Sequence, residues 1–330
     1  MMRLHGITFA HSTEEEVVME SLDFVKAYQW NYRPKTPKRP AWFTQWPGGA
    51  RIAVTINVMH EWESKPGPHT MGRRPMPADT SHTDDFMALG AREYGANFGI
   101  WRLLDVLDKH EVKATVITSG LMAELFPETV VEAKKRGHEI ATHHWDQTIH
   151  PTVYRTKEAE RDAIRKSIAA IERATGERPS GYMSPGPRPG PFTLELCAEL
   201  GFKWNGDYCD SDIPYTINVN GAKLVSLGYV RPAHSDNDIA PLGLAGGLQQ
   251  LKDDFDAHYE EAQRYPMKFR YSMHNFTGGR PGLAKVFDNF LHYAKGFPGV
   301  WFGRCIDLAN YWLEQESLYE QSERESHKAA

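Results

Sequence analysis

Cysteine is scarce in this chain. Cys197, Cys209 and Cys305 are the only three among 330 residues. An odd number without a CxxC pair encodes no disulfide framework and no thiolate zinc knuckle, so free thiols in a reducing compartment are expected. No apolar run approaches the length of a membrane span. The N-terminus lacks the basic start and apolar core of a secretion signal, so a cytoplasmic location without membrane contact is expected. Basic excess is missing too. The net charge is −5 and no stripe of Lys and Arg stands out, which argues against a nucleic-acid partner. No GxSxG elbow offers a serine nucleophile, and none of the three cysteines lies in a loop suited to that role. No GxGxxG follows the first apolar segment, which counts against a dinucleotide fold.

What is present is an ordinary globular composition, 41% apolar and 25% charged, with length for one large domain or two ordinary ones. Nine Trp and fourteen Tyr exceed what one core needs, so some are expected to line a pocket or an interface. Residues 1–45 are irregular, aromatic and Pro-rich. Such an arm has no core of its own to bury. It is expected to wrap a neighbouring subunit, giving a homo-oligomer, or to pack across its own body.

From Arg51 onward, β-rich apolar segments alternate with segments of helical spacing. Strands are expected over Arg51–Val58, Lys113–Thr118, Glu139–Thr142, Tyr182–Ser184, Phe202–Gly206, Leu224–Tyr229, Phe269–Met273 and Val300–Phe302. Helices are expected between them, one over Leu121–Arg136 capped by Gly137 and one opening at Thr156. Residues 64–90 and 214–260 read as mostly irregular and as the segments that set the substrate, and the tail 321–330 as frayed. Seven or eight βα units without a linker predict parallel strands and right-handed crossovers. A (β/α)7–8 barrel fits, with a doubly wound open sheet as the other architecture.

Five expected strand ends carry polar chemistry, where α/β barrels place their sites. The first, Asn57-Val-Met-His-Glu-Trp-Glu63, holds His60, Glu61 and Glu63. The second, Gly137–His150, packs His143, His144, Asp146 and His150 behind a short strand. The third is the tight turn Met183-Ser-Pro-Gly-Pro-Arg188. The fourth, Asn205–Tyr215, has carboxylates at Asp207, Asp210 and Asp212. The fifth delivers His274 into the glycine-rich Thr277-Gly-Gly-Arg280. Each alone is as well explained by a solvated turn or a structural histidine; five in one βα series point to a site. Carboxylates beside imidazoles suit hydrolysis. One generates the nucleophile from water, and a histidine steadied by a second carboxylate protonates the leaving nitrogen.

In this order the segments resemble the NodB-homology polysaccharide deacetylase superfamily from about Trp46 to Trp312, and within it the allantoinase and cyclic-imidase branch. The matching stretches are Trp46–Val54, Glu93–Arg102, Gly137–His143, Gly206–Tyr215, Asn237-Asp238, Gly279–Gly282 and Val300-Trp301. The resemblance implies an α/β fold of the distorted (β/α)7 barrel type, a single catalytic domain over 46–320, and hydrolysis of a non-peptide C–N bond. It implies His274 as the general acid, Asp207 as the carboxylate that orients it, and His143 as a metal ligand. The family's paired aspartates fall at Asn57 and Val58, and its second ligand histidine at Gln147. The resemblance therefore leaves two states open. One divalent metal, zinc before others, is held by Glu61, His143 and His150; or the enzyme works without metal. Glu61 is the expected base, with Glu63 as its rival.

The resulting expectation is an amidohydrolase that opens a small cyclic amide, imide or ureide, or cleaves a small N-acyl compound. Trp62, Trp145 and Tyr215 would wall the pocket, and Asp212 or Arg280 would bind polar ends of the substrate. The alternatives are a metal-dependent N-deacetylase of amino sugars or polysaccharide, and a non-catalytic metabolite or carbohydrate binder.

Overall fold

A computed structural model describes residues 39–65, 85–228 and 235–329. Most of the expected arm and of the 64–90 loop lies outside them. Residues Ile52–His60 form strand β1, and all nine are buried, as a strand covered on both faces must be. Strands β2 (Thr115–Thr118), β3 (Glu139–Thr142), β4 (Gly181–Tyr182) and β5 (Trp204–Asn205) follow in order beside it, each parallel to the last. Strand β7 (Ala222–Ser226) continues parallel to β5, and β6 (Tyr215–Val219) closes that edge antiparallel to β7. On the other side β8 (Met267–His274) runs parallel to the whole of β1. The order is β6-β7-β5-β4-β3-β2-β1-β8. Strand β9 (Val300–Phe302) pairs with Ile52–Val54 while β2 pairs with Asn57–His60, so the sheet forks along β1. This is the expected α/β architecture, a distorted (β/α) barrel in a single domain.

The helices are α1 (Phe86–Tyr94), α2 (Ile100–Lys109), α3 (Gly120–Leu125), α4 (Pro127–Lys135), α5 (Lys157–Thr175), α6 (Thr193–Glu199), α7 (Asp236–Ile239), α8 (Gly243–Ala262), α9 (Pro281–Lys295) and α10 (Cys305–Ala329). A π-helical turn, Gly95–Gly99, joins α1 to α2. Helix α2 buries Ile100, Leu103, Leu104 and Leu107, the 3.6-residue stripe visible in the sequence. These pack with β1, Phe255 of α8 and Phe287 and Phe290 of α9 into the main core. A second cluster joins Trp46, Met183, Trp204 and Trp312. Trp46 Nε1 also donates to the Met267 carbonyl at 2.8 Å. The last arm residues, Trp42 and Phe43, stack on Trp312 of α10, so this stretch packs across its own barrel.

Thr156 caps α5 through its hydroxyl, which accepts from Ala159 N–H, and Gly137 follows α4 at φ 86°, as expected. Four features differ from expectation. Strand β1 extends to His60, which places Glu61 at its exit. The helix expected over Leu121–Arg136 is two, broken at Phe126–Pro127, because Pro disfavours the helical region in the residue before it. Residues 214–260 hold the β6–β7 hairpin and the 20-residue helix α8. Gly243, Gly246 and Gly247 obscure the start of α8, yet Leu251, Phe255 and Ala262 bury its inner face. Helix α10 runs on to Ala329 where a frayed tail was expected; Lys223 on β7 reaches Glu316 and Glu320 at 2.9 and 2.7 Å and ties its middle to the sheet.

Candidate active site

Four parallel strands deliver side chains to one point. Glu61 leaves the end of β1, His143 the end of β3, the Met183–Ser184 peptide the end of β4, and His274 is the last residue of β8. Glu61 Oε1 lies 3.0 Å from His143 Nε2 and 3.7 Å from His274 Nε2. Behind His274, Asp236 Oδ1 lies 2.6 Å from Nδ1, and Asp236 Oδ2 accepts the His274 backbone N–H at 2.8 Å. Asp236 is fully buried in the first turn of α7, and Ser235 caps that helix.

Here an expectation is corrected. Asp207 does not orient His274. Its carboxylate accepts from Ser184 N–H, Ser184 Oγ and Asn205 Nδ2 at 2.6, 2.9 and 2.9 Å. Asp236 takes the orienting role. Its only trace in the sequence is the cap pattern Ser235-Asp-Asn-Asp238, beside the Asn237-Asp238 pair.

The electrostatics follow from this packing. Burial raises the Glu61 carboxyl, but the His274 charge, the hydrogen bond and charge of His143, and the Arg92 charge together hold it down at about 2. Burial lowers His274, but Asp236 and Glu61 outweigh it and push the imidazole up to about 9. At neutral pH the pair is a carboxylate facing an imidazolium, a proton acceptor and a donor on one spot.

Two cavities meet at this pair. An inner one of about 250 Å³ is lined by Met59, His143, Met183, Ser272 and Asp238. An outer one of about 830 Å³ is lined by Glu63, Arg92, Gln147, His150, Phe276 and Arg280. Glu61, Gly186, Asn237 and His274 border both. Arg92 was not foreseen. It is fully buried, stacked with Cζ 3.5 Å from the Phe276 ring centre, and paired to Glu63 at 2.6 Å. Its Nε and Nη1 find no hydrogen-bond partner. This pairing takes Glu63 away from Glu61's task.

Other expected site residues go elsewhere. Trp62 packs on Phe126 beside Met122. Trp145 lies under the Lys166 ammonium, 3.6 Å from its ring centre. Asp212 sits toward the opposite end of the barrel, and Tyr215 opens β6 across from Ser226 at the end of β7. Asp212 O accepts from Lys268 N–H near the start of β8, and the Tyr215 hydroxyl bonds Asp210. The Asp210–Tyr215 loop turns away because Lys268 ties it down through the Ser211 carbonyl as well. Of the expected polar contacts only Arg280 reaches the outer cavity. His60 of the first segment is locked between Thr118 and Thr129, and His144 of the histidine cluster between Tyr154 and Tyr182. Asp146 accepts from the Thr148 backbone N–H in its own loop and from the Ser64 backbone N–H in the segment after β1.

The expected metal would need donors beyond Glu61 and His143. Glu61 and His143 present two donors to one point. Gln147 turns its Nε2 onto the His143 carbonyl, and His150 bonds the Pro185 carbonyl through Nδ1 at 3.0 Å. Among the described residues no group of three His, Cys, Asp or Glu is arranged to hold a metal ion, whereas a resident zinc takes three or four protein ligands. The described residues therefore do not fit a resident zinc site. Asn57 is no ligand either, since its amide is buried against Cys305 and Arg270.

Comparison with known proteins bears on the fold and the family. Residues 91–204 match a family model described as polysaccharide deacetylase. The fold is similar to a probable polysaccharide deacetylase from Pseudomonas aeruginosa PAO1, with a TM-score of 0.73 and 27% identity, covering 84% of this chain and 95% of the other. It is equally similar to a PuuE allantoinase, with a TM-score of 0.73 and 26% identity over 84% and 94% of the two chains. A putative polysaccharide deacetylase of Schizosaccharomyces pombe is 25% identical over 67% of this chain and 74% of its own. No helix among the described residues is long and apolar enough to cross a membrane.

Proposed function

We propose, from the premise that the chain belongs to the NodB-homology polysaccharide deacetylase superfamily, that it hydrolyses a C–N bond of a small cyclic amide, imide or ureide, or of a small N-acyl compound. The observation that carries the reading is Glu61 held between His143 and an Asp236-backed His274 at the junction of two cavities. Glu61 takes a proton from water as the oxygen attacks the carbonyl carbon. The oxyanion that forms is met by donors lining the cavity and by the positive charge of Arg92 in its wall. His274 then gives its Nε2 proton to the nitrogen as the C–N bond breaks, and the proton on Glu61 restores the imidazolium. Water is consumed and no other reactant is needed. The substrate lies in the outer cavity with its reacting carbonyl toward Glu61, and about 830 Å³ suits a compound of small-ligand size.

A second reading is a metal-dependent N-deacetylase of an amino sugar. It is favoured by the 3.0 Å spacing of Glu61 and His143, which two donors to one ion would also show. Turnover of cyclic imides, hydantoins, allantoin and N-acetylglucosamine, measured with and without chelator, separates the two. We expect turnover of a cyclic compound that survives chelation and falls at least ~100-fold in Glu61→Gln and His274→Ala. Full turnover by His274→Ala on that substrate would sink the mechanism. Loss on chelation with recovery on zinc would establish the second reading.

A further inference from the structure

Asp207 lies out of contact with His274, yet it is buried beside the site and holds a structural element that His143 depends on. The element is the peptide between Met183 and Ser184. Its carbonyl oxygen lies 2.8 Å from His143 Nδ1, and its N–H donates to Asp207 Oδ1 at 2.6 Å. A carbonyl can only accept, so Nδ1 carries a hydrogen, and Nε2 is turned to Glu61 at 3.0 Å. The two halves of a peptide are joined by resonance. A carboxylate drawing on the N–H leaves more charge on the oxygen and strengthens the bond that oxygen accepts. Asp207 is fixed in turn by Asn205 Nδ2 and Ser184 Oγ, both at 2.9 Å, and is 4% exposed.

We propose that Asp207 is a positioning residue that acts through the Met183–Ser184 peptide, fixing the His143 ring so that Nε2 faces Glu61. Glu61 is then flanked by two imidazoles, each backed by a buried carboxylate. Asp236 backs His274 directly and Asp207 backs His143 across one peptide. Without Asp207 the peptide loses the acceptor that holds its plane, and the ring loses its fixed partner. The tight Pro185-Gly-Pro187 turn that follows, with Gly186 on both cavities, is anchored by the same bond.

The test has one arm without substrate and one with it. The second rests on the function proposed above. In ¹⁵N-histidine-labelled protein the His143 Nδ1–H resonance is assigned by its disappearance in His143→Gln. In Asp207→Ala this resonance is expected to vanish into solvent exchange, and in Asp207→Asn, which keeps an acceptor and loses the charge, to move upfield. With substrate, kcat is expected to fall about 10–100-fold in Asp207→Ala and less in Asp207→Asn, as for other residues that orient a site histidine, with KM within about twofold. Ser184→Ala removes one of the side-chain contacts that fix Asp207 and keeps the peptide N–H bond to it, so both readouts should change less than in Asp207→Ala. If Asp207→Ala does not fold, Asp207→Asn decides alone. An unchanged His143 resonance in folded Asp207→Asn overturns the proposal, whatever happens to the rate. Absence of turnover by the wild type instead overturns the functional reading and leaves the resonance arm in force.

Discussion

At the residue scale the site works by opposing two burial penalties with charge. Glu61 would be neutral in an apolar pocket, and His274 would be neutral in the same place. Set 3.7 Å apart, with Asp236 behind the imidazole, each keeps its charge. The profile of kcat/KM against pH should therefore stay flat through neutrality and fall on the alkaline side near 9, where His274 loses its proton. Asp236→Asn removes the negative charge that raises His274, so the alkaline limb should move to lower pH. An alkaline limb that stays in place in Asp236→Asn would show that another group sets it. Glu61, His143 and His274 were legible in the sequence because each ends a run of β-branched and apolar residues, and strand ends are where polar groups in such a series must gather. Asp236 was not, since it lies in a short helix 38 positions before its partner and nothing in spacing links the two. Asp207 was misassigned because a carboxylate at a strand end can turn to either neighbouring strand.

At the element scale the site depends on how closely two backbones approach. The π-turn Gly95–Gly99 passes against the loop that follows His274. A Cβ built on Gly99 would stand 1.8 Å from the Asn275 carbonyl, and one on Gly95 2.5 Å from the Asn275 side chain. Glycine is required here for space, since Gly99 has ordinary helical dihedrals. Gly99→Ala should therefore destabilise the fold by about 1–3 kcal/mol, the range for overpacking a close contact, measured by urea unfolding. It should also lower turnover, because the displaced loop carries His274. Turnover and stability both unchanged would show that the loop yields freely. Arg92 reaches the cavity from α1, just before this turn, and no pattern in the sequence marks it. Helix α8 was hidden for a different reason. Three glycines near its start lower its intrinsic propensity, and only packing on β8 and α9 makes it form.

At the scale of the whole molecule, three histidines are buried without charge. His60 and His144 are lowered to about 3 by burial, and His138 to about 4 by burial and the Lys113 charge. Unfolding lets all three take up protons below about 6.5. Each is then expected to cost about 1.4 kcal/mol of stability per pH unit as pH falls below that value toward its folded pKa. Glu61, held at about 2 in the fold, contributes stability that is present above about 4.5 and is lost as pH falls through 2. His274 acts on the other side. Its stabilisation is complete below about 6.5 and fades as pH rises through about 9. Between about 4.5 and 6.5 the three rings are opposed by Glu160, which burial raises to about 7, and by Glu139 and Asp207, also raised by burial. The melting temperature should therefore drop steeply only below about 4.5, where the rings still take up protons on unfolding and the carboxyls no longer compensate. His60→Asn or His144→Gln variants that still fold should make that drop shallower. An acid limb with the wild-type slope in both would show that these rings are not the protons taken up.

The amino-acid sequence alone determined the class of architecture, the direction of the strands and the end of the barrel where chemistry collects. All three follow from periodicity and from the rule that buried parallel strands keep polar groups at their ends. It also marked the carboxylate and the two imidazoles at the centre. Only the tertiary structure decided which carboxylate stands behind which imidazole, that Arg92 rather than Trp62, Trp145, Asp212 or Tyr215 borders the cavity, and that the histidine cluster sends His143 to Glu61, His150 to the outer cavity wall and His144 into the core. Those are choices of side-chain direction among groups 20 to 200 positions apart. Spacing along a chain carries no record of them, because they are settled by which strands pair and which loops are tied back.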